Sequence, residues 1–242
     1  YKQNSSMKAT LLFSIFILNC STVFSQWNSN PAINTAISTS ANNQKDARIV
    51  TDSKSGAIIT WVDYKNSLTS GDIYAQRINY AGINKWTTNG VVICNDISNQ
   101  TAVASDDAGN GSAVFAWNDW RSGNKDIYVQ KIDSSGNIQW ISNGIGIAIK
   151  NAHQADPKII SDGSGGAIVV WQDSVSGNWD IYAQRINSSG SIQWTSGGVV
   201  ICNAANSQIN PKLESDGLGG VIITWQDKRN GIEYDIYAQR IN

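Results

Sequence analysis

The sequence predicts an all-β fold, a β-propeller of about four blades with four short strands in each. The phrase Asp-Ile-Tyr-Ala-Gln-Arg-Ile-Asn at residues 180–187 recurs, with few changes, from Asp72, Asp126 and Asp235. A Trp-x-Asp motif precedes every copy and a second tryptophan follows three of them, so the repeat period is about 54 residues. Four-stranded units with a period of roughly 50 residues are typical of propeller blades.

The third repeat shows the strands of one unit most clearly. The predicted strands are residues 158–162, 167–172 and 180–187, with a fourth beginning at 192–194. Glycines at 163–166 favour a tight hairpin, because glycine adopts the positive φ that such turns require. The apolar run at 167–172 suits a strand buried on both faces. Whether the fourth strand continues to residues 199–201 is left open by the sequence.

Two tryptophans and two aspartates recur in the blades, and we interpret them as structural. An indole can cover much of the flat face that a blade buries against its neighbour. The tryptophans are Trp61, Trp117, Trp171 and Trp225 before the phrase, and Trp27, Trp86, Trp140 and Trp194 in the other set. The aspartates are Asp63, Asp119, Asp173 and Asp227, then Asp72, Asp126, Asp180 and Asp235. They are expected to cap turn amides or to pair with Arg77, Lys131, Arg185 and Arg240.

The ends of the repeat region predict how the ring closes. Gln26 and Trp27 match the last strand of other repeats, and the chain ends at Asn242, after the fourth copy of the phrase. The N-terminal segment is therefore expected to complete the blade that the C-terminal strands form. A β-solenoid or an open array of small sheets is the alternative architecture. For the ring, a closed monomer, an eight-bladed ring shared by two chains, and a longer gene with roughly seven or more blades remain open.

Composition and the N-terminal segment indicate an exported protein. The formal net charge is −1 and charged residues make up 15% of the chain, which argues against nucleic acid or an anionic membrane as the main partner. Lys8 precedes an apolar run at residues 10–18, the pattern of a secretory signal peptide and too short to span a membrane. We expect a leader at 1–25, a repeat domain at 26–242, and a secreted or cell-surface location.

The repeated phrases resemble a known type of propeller repeat. Trp-Gln-Asp, Asp-Ile-Tyr-Ala-Gln-Arg and Ser-Ser-Gly-x-Ile-Gln-Trp are similar to repeats in secreted and surface proteins of environmental bacteria. The turn from Ser189 to Trp194 is also distantly similar to the docking motif of pyrroloquinoline-quinone-type propellers. The resemblance covers nearly all of residues 26–242 and implies a propeller. It implies no activity, because members of this family largely lack an assigned function.

No catalytic, metal or cofactor motif stands out in the sequence. The only histidine, His153, lies in a connection between blades and is expected to be solvated, which argues against serine-histidine catalysis. Glu214 and Glu233 are the only glutamates and suggest no acid-base pair. Cys94 and Cys202 are expected to be buried free thiols. The sequence therefore predicts no cofactor, no metal and no enzymatic activity.

The residues that break the repeat define a candidate ligand face. They lie in the loops between second and third strands and comprise Tyr64, Trp120, Arg121, Trp179 and Tyr234, with Asp119 beside them. Aromatic rings next to polar groups suit stacking on sugars. The first functional hypothesis is therefore a secreted, non-catalytic module that binds glycans or glycoproteins. The alternatives are a structural segment of a larger surface protein and, third, a hydrolase with an unrecognised site.

Overall fold

The structure, a computed structural model, describes residues 27–28 and 30–242. The predicted leader and Gln26 lie outside the described residues. Within them, fifteen strands form four antiparallel sheets, and neighbouring strands of a sheet are neighbours in the chain. In the described part, no helix has the length and apolar character needed to cross a membrane.

The four sheets are the blades of a propeller, as the sequence predicts. The first blade contains β1 (Gln44–Thr51), β2 (Ala57–Asp63), β3 (Asp72–Ile78) and β4 (Val91–Cys94). The second contains β5 (Gln100–Gly109), β6 (Ser112–Asp119), β7 (Asp126–Ile132) and β8 (Ile145–Ala148). The third contains β9 (Gln154–Ser161), β10 (Ala167–Asp173), β11 (Asp180–Ile186) and β12 (Val199–Cys202). The fourth contains β13 (Gln208–Ser215), β14 (Val221–Asp227) and β15 (Asp235–Ile241).

The outer strand begins later than predicted. Ile192 makes only an isolated bridge to Ile186, and β12 starts at Val199, after Gly197 and Gly198. Both glycines have positive φ, at 78° and 93°. A Cβ on Gly198 would also lie 2.5 Å from the Trp171 ring, so the turn requires glycine there.

The core lies between successive blades rather than within one of them. One apolar cluster joins the first and second blades, another joins the second and third, and another joins the third and fourth. Trp117 and Trp171, each 0% exposed, are the largest fully buried side chains. Each lies stacked on a tyrosine of the adjacent strand, Trp117 on Tyr128 at 6.2 Å between ring centroids. The apolar middle strands are therefore buried because a neighbouring blade covers them.

The aspartate of each Trp-x-Asp motif holds the frame of its blade. Asp119 Oδ2 accepts a hydrogen bond from Trp117 Nε1 at 2.9 Å, and Oδ1 accepts one from the Arg121 amide at 3.0 Å. The same two bonds occur in the other three blades. The predicted capping of turn amides is thus observed, with the indole as a second donor.

The predicted pairing of these aspartates with the arginines of the repeated phrase is wrong. Arg77 instead pairs with Asp52 at 2.8 Å, and Arg185 with Asp162 at 3.1 Å. Asp52 and Asp162 begin the hairpin that joins the first and second strands of their blades. Arg77 and Arg185 lie near that hairpin, at the end of the third strand. Lys131, the counterpart in the second blade, donates to the Gly165 carbonyl of the third blade at 2.6 Å.

Trp86 and Trp140, the later tryptophans of the first two blades, each form a hydrogen bond to the next blade. Trp86 Nε1 donates to the Ser134 carbonyl of the second blade at 3.1 Å, and the ring lies against Gly136. Trp140 makes the equivalent bond to Ser188 of the third blade. Trp27 lies against Gly82 of the first blade, 3.5 Å from where a Cβ would be. It therefore occupies the place of a tryptophan from a preceding blade.

The predicted completion of the fourth blade by the N-terminal segment is not formed in this structure. The fourth sheet has three strands, and the described residues before Gln44 contain no strand. The segment instead docks on the first blade, where the Thr39 amide donates to Asn89 Oδ1 at 2.9 Å. The ring is open between its fourth and first blades, and Ile236 of β15 is 72% exposed. Its counterparts are fully buried: Ile73, Ile127 and Ile181.

The two open edges lead to a prediction about ring closure. In the first and third blades, β3 pairs Ile73 with Cys94, and β11 pairs Ile181 with Cys202. Ser38 and Ile236 are the corresponding residues at the open edges. Because pairing would cover an exposed apolar strand edge, we expect the variant Ser38→Cys/Ile236→Cys to form a disulfide within one chain. Non-reducing electrophoresis and light scattering would show a cross-linked monomer.

Two other results would contradict closure within one chain. A cross-linked dimer would show that two chains share the ring. The absence of a cross-link would show that the ring stays open in solution. The variant Asn30→Cys/Ile236→Cys is the control for random encounter of two thiols.

Candidate functional site

The aromatic residues of the predicted ligand face lie at the same end of the blades, because each belongs to a loop that joins a second strand to a third. Tyr234 is 46% exposed, with the Lys228 ammonium 5.7 Å from its ring. Trp120 packs edge-on against His153 at 5.8 Å, with Lys125 at 5.5 Å. Each aromatic ring lies on its own blade.

Asp119 and Arg121, which the sequence analysis placed on the ligand face, belong to the frame of the second blade. Asp119 is fully buried. The Arg121 guanidinium donates to Asp119 Oδ2 at 2.6 Å and to the Asn143 carbonyl at 2.9 Å, and it lies over the Tyr128 ring at 4.0 Å. Their hydrogen bonds are made within the protein, and the ligand-binding role of these two residues stays a prediction. Tyr64 and Trp179 are half-buried.

The thiols and the histidine are poorly placed for nucleophilic chemistry. Cys94 is buried and Cys202 is half-buried, and both are free. Burial raises the pKa of the Cys94 thiol to about 12, so the nucleophilic thiolate is scarce at neutral pH. His153 is exposed, and its Nδ1 accepts a hydrogen bond from the Lys125 amide at 3.2 Å.

The innermost strands of the four blades surround a central cavity of about 250 Å³. Each strand contributes two consecutive residues, at equivalent positions of the repeat. The lining residues are Arg48 and Ile49 of β1, Ala104 and Ser105 of β5, Lys158 and Ile159 of β9, and Lys212 and Leu213 of β13. The cavity is therefore on the axis of the ring, where side chains from all four blades meet.

A β-bulge precedes the cavity in every inner strand. The pairing register shifts before Arg48, Ala104 and Lys212, and β9 has the equivalent shift. The bulged residues have positive φ, between 52° and 56°: Asp46, Ala102, Asp156 and Asn210. This conformation is uncommon for residues other than glycine, and bulges often redirect side chains near functional sites. Here they precede the residues that line the axis.

A half-buried carboxylate, Asp106, follows the lining residues of the second blade. Asp106 pairs with Val114 in the sheet, as Val50 pairs with Ile58 in the first blade. It therefore replaces an apolar side chain of the repeat, and its Oδ2 accepts a hydrogen bond from the Ser161 amide at 2.7 Å. Because side chains alternate along a strand, Asp106 shares a face of β5 with Ala104 of the cavity.

Burial raises the pKa of the Asp106 carboxyl above its ordinary value. Hydrogen bonds from the backbone amides of Ser161 and Asp107 oppose this effect, and the negative charges of Asp107 and Glu214 add to it. Glu214 is exposed and takes the equivalent position on β13 of the fourth blade. Two blade-specific carboxylates, close enough to interact electrostatically, thus stand beside the axis.

This pair is not apparent from the sequence, for an identifiable reason. Asp106 looks like one of the hairpin aspartates Asp52, Asp162 and Asp216, because each stands shortly before a Trp-x-Asp motif, but it lies within β5. The first hairpins of the first and second blades have the same length, since Asp107 pairs with Ala113 as Thr51 pairs with Ala57. Ala108 therefore takes the position of the hairpin aspartates. Without Asp106, Glu214 had no partner.

The arrangement of blades resembles that of several solved carbohydrate-active proteins. A thermostable family-43 glycoside hydrolase is 10% identical, with 84% of this chain and 73% of that chain covered at a TM-score of 0.49. An endo-arabinase from Bacteroides thetaiotaomicron is 13% identical, with 80% and 73% covered at 0.40. An N-acetylgalactosamine deacetylase from F. plautii is 9% identical, with 90% and 76% covered at 0.44. Neither the family models nor the curated proteins that were compared match this sequence.

The prediction of a non-catalytic binding module is corrected. The solved structures with a similar arrangement of blades include several glycoside hydrolases. The prediction rested on the absence of a recognisable acid-base pair in the sequence. Asp106 and Glu214, two carboxylates that interact electrostatically, remove that basis.

Proposed function

We propose that this protein is a glycan-active hydrolase whose reaction centre lies at the ring axis, beside the central cavity. The observation that supports the proposal is Asp106, a carboxyl with a raised pKa at a position where the first and third blades have apolar residues. Hydrolysis of a glycosidic bond ordinarily uses two carboxyl groups on opposite sides of the bond. Asp106 and Glu214 supply such a pair.

The environment of each carboxyl suggests its role. A raised pKa keeps a proton on Asp106 over a wider pH range, which suits a general acid. Asp106 would protonate the departing glycosidic oxygen as its bond to the anomeric carbon breaks. Glu214 is exposed to solvent and would take a proton from the water that forms the new bond to that carbon. Asp106 thus loses one proton and Glu214 gains one, and the reaction consumes one water molecule.

Carboxyl-to-amide variants test the proposal directly. We expect Asp106→Asn and Glu214→Gln each to lower the release of reducing sugar from an active polysaccharide by roughly 10²-fold or more. The substrates would be arabinan, xylan, polygalacturonate and carrageenan. Glu233→Gln is the matched control, since it removes an exposed carboxylate in the loop between β14 and β15 of the fourth blade. Unchanged activity in Asp106→Asn, or no hydrolysis of any of these polysaccharides by the wild type, would refute the proposal.

Stability measurements separate the acid role of Asp106 from a structural one. Its pKa is higher in the folded than in the unfolded chain, so its stabilising contribution is present in acid and is lost as pH rises through the folded pKa. Asp106→Asn should therefore unfold at a higher temperature than wild type at neutral pH, with the difference shrinking below about pH 4. A variant that is stable but inactive would support catalysis.

A further inference from the structure

We propose that the central cavity binds an anionic group of the glycan, a carboxylate or a sulfate ester. This inference deepens the proposed function and rests on it for the identification of the ligand as a glycan. Three of the four blades place a basic residue at the same lining position: Arg48, Lys158 and Lys212. The second blade has Ala104 there, and no carboxylate is among the lining residues.

The three cations are concentrated by the symmetry of the ring. One residue of the repeat, about 54 positions apart in each blade, is brought to the axis four times. Three positive charges around one small cavity repel one another unless an anion lies between them. Burial lowers the pKa of the Lys158 ammonium, the nearby Asp156 carboxylate opposes this, and the charges of Lys212 and Arg48 lower the pKa further.

Internal partners leave part of this positive charge available. Lys158 Nζ donates to Asp156, its partner at the bulge. Arg48 donates to the carbonyl of its neighbour Ala47, and neither Arg48 nor Lys212 forms an ion pair among the described residues. Both lie on exposed parts of their strands. An anion in the cavity would supply the charged hydrogen-bond acceptor that these two side chains lack.

The carboxylates around the axis limit where the anion can lie. Asp46 and Asp156 are at the bulges, on one side of the lining residues, and Asp106 and Glu214 follow the lining residues on the other side. Ala104, the small lining residue of the second blade, lies two positions before Asp106 on the same face of β5. An anion held by Arg48 and Lys212 would therefore place a neighbouring sugar toward the carboxyl pair.

Binding can be measured independently of catalysis. The full chain carrying Asp106→Asn would be titrated with sodium sulfate and, separately, sodium acetate by calorimetry at constant ionic strength. We expect saturable binding of at least one anion, weakened roughly tenfold or more by Arg48→Ala and by Lys212→Ala. Lys85→Ala, an exposed lysine of an outer hairpin, is the matched control and should leave the affinity unchanged. Lys212→Gln provides a second variant in case alanine perturbs folding.

The outcomes distinguish the two proposals and the source of the anion. No saturable binding of either anion, or equal losses in Lys85→Ala, would overturn the inference. Anion binding without hydrolysis of any polysaccharide would retain the cavity and reject the reaction. Hydrolysis of arabinan alone, unaffected by Arg48→Ala and Lys212→Ala, would retain the reaction and reject the anion. Preference for carrageenan identifies a sulfate ester, and preference for polygalacturonate a carboxylate.

Discussion

Replacing Trp117 by alanine is expected to lower the free energy of unfolding by about 3–5 kcal/mol, a large part of the stability of an ordinary domain. The indole is 0% exposed, lies stacked on Tyr128 and fills the space between the first and second blades. Removing the indole leaves a cavity that the surrounding strands cannot fill. The buried Asp119 carboxylate also loses the hydrogen bond that Trp117 Nε1 donates to it.

Urea unfolding followed by circular dichroism would measure the loss for Trp117→Ala. Trp27→Ala is the matched control, because it deletes the same side chain where 51% of it is exposed. The control should lose less than about 1 kcal/mol. Similar losses in the two variants would contradict the conclusion that stability resides between the blades.

Asp119→Ala is expected to lower the free energy of unfolding by about 3–5 kcal/mol, because it removes the acceptor of several buried donors. The Asp119 carboxylate accepts bonds from Trp117 Nε1 at 2.9 Å, from the Arg121 amide at 3.0 Å and from Arg121 Nε at 2.9 Å. Without it, the half-buried guanidinium keeps only the more distant Asp96 carboxylate, 3.8 Å from its Nη1, as an opposite charge. Urea unfolding of the variant would measure this loss.

The equivalent substitution in the fourth blade provides the control. Asp227→Ala should cost less, because Arg229 is 36% exposed there, against 21% for Arg121, and can be hydrated. Burial alone would raise the Asp227 pKa, but hydrogen bonds from Arg229 and the Trp225 indole hold it below its usual range. Its stabilisation is therefore full above about pH 4 and declines as the pH falls through the folded pKa. An equal cost in the two blades would contradict this reasoning.

The blades could be predicted because their sequence signals are local and repeated. Residues 167–172 form β10 almost as predicted, since an apolar run between turn signals indicates a buried strand. The first residue of the outer strand was harder to predict from the sequence. Whether a segment such as 192–194 pairs with its neighbour depends on the turn at Gly197 and Gly198, where the contact with Trp171 decides the outcome.

The axial site could not be predicted from the sequence, because its residues are distant in the chain and are not part of the repeated motif. Arg48, Lys158 and Lys212 share a repeat position, but nothing in the local pattern shows that this position faces an axis. The bulge that precedes it breaks the alternation from which strand faces are read. Asp106 lies two residues before Ala108, which takes the position of the hairpin aspartates of the other blades, so in the sequence it resembled a turn residue.

The second blade differs from its neighbours in a way that bears on how such a chain can acquire new chemistry. It lacks the arginine and hairpin-aspartate pair of the other three blades, and Lys131 contacts the third blade instead. In a repeat protein, stability is approximately a sum over units and their interfaces. The loss of one such contact therefore leaves the other copies intact, and duplication gives a single unit the freedom to diverge while its siblings preserve the scaffold.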